Sequence, residues 1–177
     1  MTFDRFTIED LKARHGFKWR RYGEDVIPAW VADMDFPVAK PIHDYVRQAA
    51  EQSDFGYPSK FEAERLPEIF TERMAQKYNW KISPDRTLLL TDVVQGLYWA
   101  VLGTCAKGDG AIIQTPIYPP FLSSVEESGA RPILCPLVMG PDGFEIDFEA
   151  MEATIDSTTR VFMLCNPHNP SGRCFTR

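Results

Sequence analysis

Residues 160–173 read Arg160-Val161-Phe162-Met163-Leu164-Cys165-Asn166-Pro167-His168-Asn169-Pro170-Ser171-Gly172-Arg173. The stretch to Cys165 is a short apolar run, which reads as a buried strand. It is broken abruptly by two Asn-Pro steps on either side of His168. Each proline pushes the residue before it out of the helical region, so the pair forces an extended, rigid turn. Such a turn can hold Asn side chains as hydrogen-bond donors with little entropy left to lose. His168 by itself reads as a solvated loop histidine.

Upstream of this strand the chain alternates strand and helix. Thr87-Leu88-Leu89-Leu90, Ala111-Ile112-Ile113-Gln114 and Pro132-Ile133-Leu134-Cys135 are three further apolar runs of strand length. Between them lie helix candidates: Val93 to Ala106, closed by Lys107-Gly108-Asp109, and Pro120 to Ser128, ended by Gly129. Pro141-Asp142-Gly143 is a turn, and Asp147 can N-cap a helix through Met151 to Ile155. This rhythm predicts an α/β fold, a three-layer sandwich with a mostly parallel sheet covered by helices. Continuous apolar runs are what parallel strands buried on both faces require.

The first third is less regular. Ile8 to His15 is a short polar helix candidate, followed by the apolar segment Val26 to Val31. Pro41 suits the first turn of a helix, with Ile42, Val46, Ala49 and Ala50 on one face. Phe55-Gly56-Tyr57-Pro58-Ser59 is a loop. Leu66, Ile69, Phe70, Met74 and Tyr78 then keep helical spacing. Pro67 fits only in a first turn, so that helix is expected to start near Leu66.

The formal net charge of −6 argues against a nucleic-acid partner, which needs clustered Lys and Arg. No run of roughly 20 apolar residues is present, so no transmembrane helix is expected. The polar N-terminus lacks the apolar core of a signal peptide, and the expected location is cytoplasmic. Cys105, Cys135, Cys165 and Cys174 form no C-x-x-C pair. Cys165 and Cys174 flank His168, but buried or free thiols are the simpler reading than a metal site. No G-x-G-x-x-G, G-x-x-x-x-G-K-[ST] or G-x-S-x-G occurs, which leaves dinucleotide, P-loop and simple hydrolase sites unsupported.

Ligands of open α/β sheets bind beyond the carboxyl ends of the strands, and three segments fall there. Thr91-Asp92-Val93-Val94-Gln95-Gly96 opens a helix, whose free amides can hold a phosphate, although any βα turn offers the same. Gln114-Thr115-Pro116-Ile117-Tyr118-Pro119-Pro120-Phe121 presents Tyr118 on a proline-stiffened loop, either to stack on a flat heteroaromatic ligand or to pack over the sheet edge. The double Asn-Pro turn is the third.

Taken in order, these segments resemble fold-type I pyridoxal-phosphate enzymes, the aspartate aminotransferase superfamily. Trp30-Val31-Ala32-Asp33-Met34-Asp35-Phe36-Pro37 and Pro116-Ile117-Tyr118-Pro119-Pro120-Phe121 are most similar to its cystathionine β-lyase-like C–S lyase branch. The resemblance implies pyridoxal 5'-phosphate as cofactor and a small amino-acid substrate. It implies that residues 1–38 are the N-terminal segment of a small domain and 39–177 the N-terminal part of an incomplete cofactor-binding large domain. Tyr118 would stack on the pyridine ring, Asn169 would hydrogen-bond its 3′ oxygen, and Val93 and Val94 would offer backbone amides to the phosphate. Tyr57 would reach the phosphate of a neighbouring subunit, making the intact enzyme a homodimer. Ala32 and Asp33 would lie in the segment that closes over the substrate.

Asp92 departs from the family pattern, which often has glycine there. A carboxylate pointing inward would repel the phosphate, whereas one capping the helix would not. In the family the Schiff-base lysine lies after the Asn-Pro-x-Asn-Pro motif. Lys81 and Lys107 do not match it, and the chain is expected to be an inactive fragment. Thr87 to Leu90 would then lack a strand partner, and the fourth strand would leave an open edge. The activity implied for the intact enzyme is β-elimination of a thiol from cystathionine or a related S-substituted cysteine, leaving pyruvate and ammonia. The alternatives on the same scaffold are an aminotransferase and a non-catalytic regulatory protein.

Overall fold

The computed structural model describes residues 5–57 and 60–176, with only the backbone of 60–64. The chain forms two compact units, Met1–Glu64 and Arg65–Arg177.

In the first unit α1 spans Ile8–Lys12, held at its start by a capping box in which the Asp10 amide donates to Thr7 Oγ1 and the Thr7 amide to Asp10 Oδ2. A 3-10 turn follows at Phe17–Trp19. The irregular segment after it is tied down by polar bonds rather than by periodicity. Lys18 Nζ donates to the Asp33 carbonyl and to Asp35 Oδ2, both at 2.7 Å, and Trp19 Nε1 donates to Asp35 Oδ1 at 2.7 Å. Partial burial pushes the Asp35 pKa up, but the bonds from Lys18 and Trp19 together outweigh it and hold the carboxyl below its usual range. Trp30 packs edge-on against Phe17 at 4.9 Å. Helix α2, Lys40–Gln52, has Pro41 in its first turn, and its Ile42 and Val46 are exposed. Pro58 and Ser59 of the expected loop lie outside the described residues.

Helix α3 runs from Lys60 to Tyr78, not from Leu66, and contains Pro67 in its interior. Spacing misses its first turns because they are mostly polar. A proline removes one intrahelical bond and kinks a helix without always ending it.

The second unit holds the sheet. Helix α4, Val93–Thr104, leads through a five-residue connection into β1, Gly110–Thr115. Then come α5, Pro119–Glu127, and β2, Arg131–Pro136. A hairpin of β3, Val138–Gly140, and β4, Gly143–Glu145, precedes α6, Phe148–Ala153, and β5, Thr159–Met163. The three long strands are parallel in the order β2-β1-β5. Ile113 of β1 stands opposite Leu134 of β2 and Met163 of β5. On one face Ala111, Ile113 and Met163 pack with Val101 of α4 and Val125 of α5. On the other Ile112, Ile133 and Cys135 pack with Met151 of α6. The result is the expected helix–sheet–helix sandwich.

Three sequence expectations are corrected. Thr87 to Leu90 forms no strand: it is irregular after a 3-10 turn at Pro84–Arg86, and Leu88 is exposed. A strand needs a neighbour to take its backbone bonds, and among the described residues none lies there. Second, only β1 is buried along its length. The burial of β2 and β5 alternates, with Leu134 and Phe162 exposed, because among the described residues each packs on helices with one face only, β2 on Met151 of α6 and β5 on Val101 of α4 and Val125 of α5. Paired on one side only among the described residues, β5 is the open edge that was expected. Third, Cys165 is half-buried rather than buried, since it lies beyond the last residue of β5, while Cys135 is buried.

At the amino ends of the strands Arg131 Nη2 donates to Asp156 Oδ2 and to Thr158 Oγ1, both at 3.0 Å. Hydrogen bonds from the Thr158 hydroxyl and amide hold the Asp156 pKa down to about 2.

Two outcomes follow, both measured on the purified protein. Ile113→Ala, at a site with no exposed surface, is expected to cost about 2–5 kcal/mol in denaturant unfolding, and Ile113→Val about 0.5–1.5 kcal/mol. Because the folded-state pKa of Asp156 is depressed, its contribution is full above its ordinary value of 3.8 and is lost as the pH falls toward about 2. Asp156→Asn should flatten the acid dependence of stability in that window.

Candidate functional site at the carboxyl ends of the strands

Because β1 and β5 are adjacent and parallel, the segments leaving them emerge on the same side of the sheet. From β1 the chain passes through Pro116 and Ile117 to Tyr118, the N-cap of α5, with Pro119 and Pro120 opening the helix. Prolines suit that position because the first helical amides have no intrahelical partner. Tyr118 is 41% exposed. From β5 the chain passes into the double Asn-Pro turn.

That turn is closed at its base by backbone bonds. The His168 amide donates to the Arg173 carbonyl and the Gly172 amide to the His168 carbonyl, each at 2.7 Å. Gly172 has φ 72°, a left-handed conformation that glycine adopts without penalty. The two asparagines differ in what they do. Asn166 serves the turn itself: its Nδ2 donates to the Phe175 carbonyl at 3.1 Å and its Oδ1 accepts from the Phe175 amide at 3.0 Å. Asn169 is exposed, and its carboxamide makes no hydrogen bond among the described residues; only its backbone amide is engaged, on Cys165 Sγ at 3.4 Å.

His168 corrects the sequence reading. It is not a solvated loop residue but 1% exposed, and its Nε2 lies 2.7 Å from the Pro116 carbonyl. A carbonyl can only accept, so Nε2 carries the proton. The ring also packs edge-on against Phe175 at 5.8 Å. This contact joins the loop of Tyr118 to the loop of Asn169. The neighbouring Thr115 carbonyl accepts from the Leu137 amide at 2.8 Å, which fixes the same loop to the strand on its other side. Arg173 Nη1 donates to the Asp142 carbonyl at 3.0 Å and so ties the turn to the β3–β4 hairpin. The sequence offered no signal for either tie except the buried strand before the turn.

Val93 and Val94 open α4, whose far end leads into the amino end of β1, so its first turn belongs to the carboxyl side of the sheet. Asp92 is the N-cap: its Oδ1 accepts from the Gln95 amide at 2.9 Å, and its Oδ2 lies 3.2 Å from the Thr91 hydroxyl. The carboxylate is turned onto its own helix, and the amides of Val93 and Val94 remain among those with no intrahelical acceptor.

The remaining expected residues belong to the first unit. Tyr57 is fully exposed. Ala32 and Asp33 are exposed, and the Asp33 carbonyl accepts from Lys18. Neither lines the open cleft of about 720 Å³ in that unit, whose walls include Phe6, Arg14, Met34 and His43. Among the described residues no group of three or more His, Cys, Asp or Glu is arranged to hold a metal ion, and no helix is long and apolar enough to cross a membrane.

Residues 30–177 match the family model described as aminotransferase class I and II. The chain belongs to that family. Within the family, it is 33% identical to cystathionine β-lyase PatB of Bacillus subtilis (strain 168) over 183 residues, covering all of this chain and 46% of that protein. Among solved members of similar fold, cystalysin from Treponema denticola, which contains pyridoxal 5'-phosphate, aligns with a TM-score of 0.85 at 26% identity over all of this chain and 46% of its own. The pyridoxal-phosphate-bound C–S lyase from Staphylococcus hominis aligns with a TM-score of 0.85 at 28% identity, over 99% of this chain and 45% of its own. The chain therefore spans about half the length of the family members it matches.

The cap assigns a definite cost to Asp92. Asp92→Ala is expected to destabilise by about 0.5–2 kcal/mol, and Asp92→Asn, which keeps an acceptor for the Gln95 amide, to be nearly neutral. Thermal unfolding of the two variants side by side checks this.

Proposed function

We propose that the complete protein carrying this chain is a pyridoxal-phosphate-dependent C–S β-lyase that cleaves cystathionine or a related S-substituted cysteine to a thiol, pyruvate and ammonia. The observation that carries the reading is the joined pair of loops, one offering an exposed Tyr118 and the other an uncommitted Asn169 carboxamide. The names of similar proteins, a cystathionine β-lyase and a C–S lyase, support the reaction class.

The donor set suits that cofactor. A flat aromatic face can take the pyridine ring, a carboxamide can donate to the 3′ oxygen, and two first-turn amides at Val93 and Val94 can hold the phosphate. Asp92 opposes this by charge, but its carboxylate is already engaged by Gln95 and Thr91. When bound, pyridoxal phosphate supplies an electron sink for negative charge developing at the substrate α-carbon. The residues of this chain bind and orient. Tyr118 would take the pyridine ring on its face and Asn169 would donate to its 3′ oxygen, while Ala32 and Asp33 would serve the substrate. Tyr57 reaches the phosphate in the neighbouring subunit, so the active form is a homodimer.

Proton transfer at the α-carbon is assigned to a Schiff-base lysine outside residues 1–177. On this reading residues 1–38 begin the small domain, 39–177 begin the large one, and the chain alone is inactive. Its match to about half the length of similar proteins supports a lysine lying outside it.

The complete protein, loaded with pyridoxal phosphate, is expected to release thiol and pyruvate from cystathionine. Amino transfer to a 2-oxoacid in place of pyruvate release would reassign it as an aminotransferase, and failure to take up the cofactor would end the reading. Tyr118→Ala should weaken cofactor binding by about 0.5–1.5 kcal/mol beyond the lost contact area. Asn169→Ala should weaken it by about 1.5–3 kcal/mol, the range for a bond to a charged group. Asp92→Asn should tighten it, since the cap survives and the negative charge does not. Titrating visible absorbance against cofactor concentration reads all three.

A further inference from the structure

We propose that His168 is a positioning residue whose Nε2–H bond to the Pro116 carbonyl locks the Tyr118 loop and the Asn169 loop into one rigid unit. The inference rests on the proposed function only for what that unit holds; the lock itself is a property of the chain.

Three observations carry it. First, the bond spans 52 positions of sequence and joins the segments leaving two different strands. Second, the ring is not where a solvent-facing residue would be. It is 1% exposed, packed edge-on to Phe175, and its Nδ1 is buried with no hydrogen-bond partner among the described residues. Leaving a buried polar atom unmet is unfavourable, and a plain apolar ring would avoid it. Position 168 therefore retains a polar ring whose one satisfied atom is the donor to Pro116. Third, both ends of the bond are anchored. On one side the His168 backbone is held by Gly172 and Arg173, and on the other Thr115, next to Pro116, is held by Leu137. A bond between two anchored points transmits position, whereas a bond to a loose loop would not.

The consequence is geometric. Tyr118 stands two residues beyond Pro116, and Asn169 stands next to His168. A planar ligand meeting both side chains needs them at a fixed separation and tilt, and small errors in placement weaken such contacts steeply. At 1% exposure His168 offers almost no surface to a ligand. It acts through Tyr118 and Asn169.

The test uses the complete protein with two substitutions. His168→Phe keeps the ring, its burial and its packing on Phe175 but removes the donor. His168→Gln places an amide nitrogen near the position of Nε2 and restores it. Hydrogen exchange on the cofactor-free protein is followed in peptides covering 111–125 and 164–176, with pyridoxal-phosphate titration and visible circular dichroism alongside. The expected result is faster exchange in both segments for Phe, cofactor affinity lowered on the order of tenfold with an altered visible dichroism, and recovery of all three with Gln. Faster exchange confined to 164–176, or Gln behaving like Phe, would overturn the lock. Weakened cofactor binding without a change in exchange in 111–125 would overturn it as well. If the parent protein takes up no pyridoxal phosphate yet Phe loosens both segments and Gln does not, the lock stands and the proposed function fails.

Discussion

Parallel pairing of β1 between β2 and β5 is the constraint from which the rest follows. Antiparallel neighbours would send successive loops to opposite ends of the sheet. Parallel neighbours send them to the same end, so residues 114–121 and 164–173, far apart in sequence, leave the core side by side. The pairing stands because β1 buries apolar side chains on both faces, with α4 and α5 covering one and α6 the other. Burial on both faces also fixes the register, since a slip by one residue would exchange the two faces.

What the chain does at that end depends on a division of labour within a short motif. Of the two asparagines, one is used up in satisfying the backbone of Phe175, and the other is left with its amide outward. Their sequence contexts are nearly identical. The difference arises because Asn166 lies at the base of the turn, beside the returning chain, and Asn169 lies at its tip. Rigidity at the base is what gives the outward amide a defined direction.

Much of this was legible in the sequence, for stated reasons. Helix starts at Lys40, Val93, Pro119 and Phe148 were readable because Pro41, Asp92, the Pro119-Pro120 pair and Asp147 act locally, through the first turn alone. The central strand was readable because Ala111, Ile112 and Ile113 are apolar in unbroken succession. Thr87 to Leu90 has the same apolar character, but a strand is a relation between segments, and composition reports only one of them. The β3–β4 hairpin was seen only as a turn, since three-residue strands have too few alternations to register. His168 was misread for a related reason. Its burial is decided by a carbonyl 52 residues away, which no local pattern encodes. The direction of Asp92 was open in sequence, and the Gln95 amide decides it.

The hydrogen bond from Arg173 to the Asp142 carbonyl makes the tip of the small hairpin a buttress for the Asn-Pro turn. A surface hairpin ordinarily tolerates insertions and deletions freely. Here a change in its length would pull on a strut that ends a few residues from Asn169. Variation among homologous chains should therefore be restrained at that tip, while the neighbouring outer surface of α6 drifts.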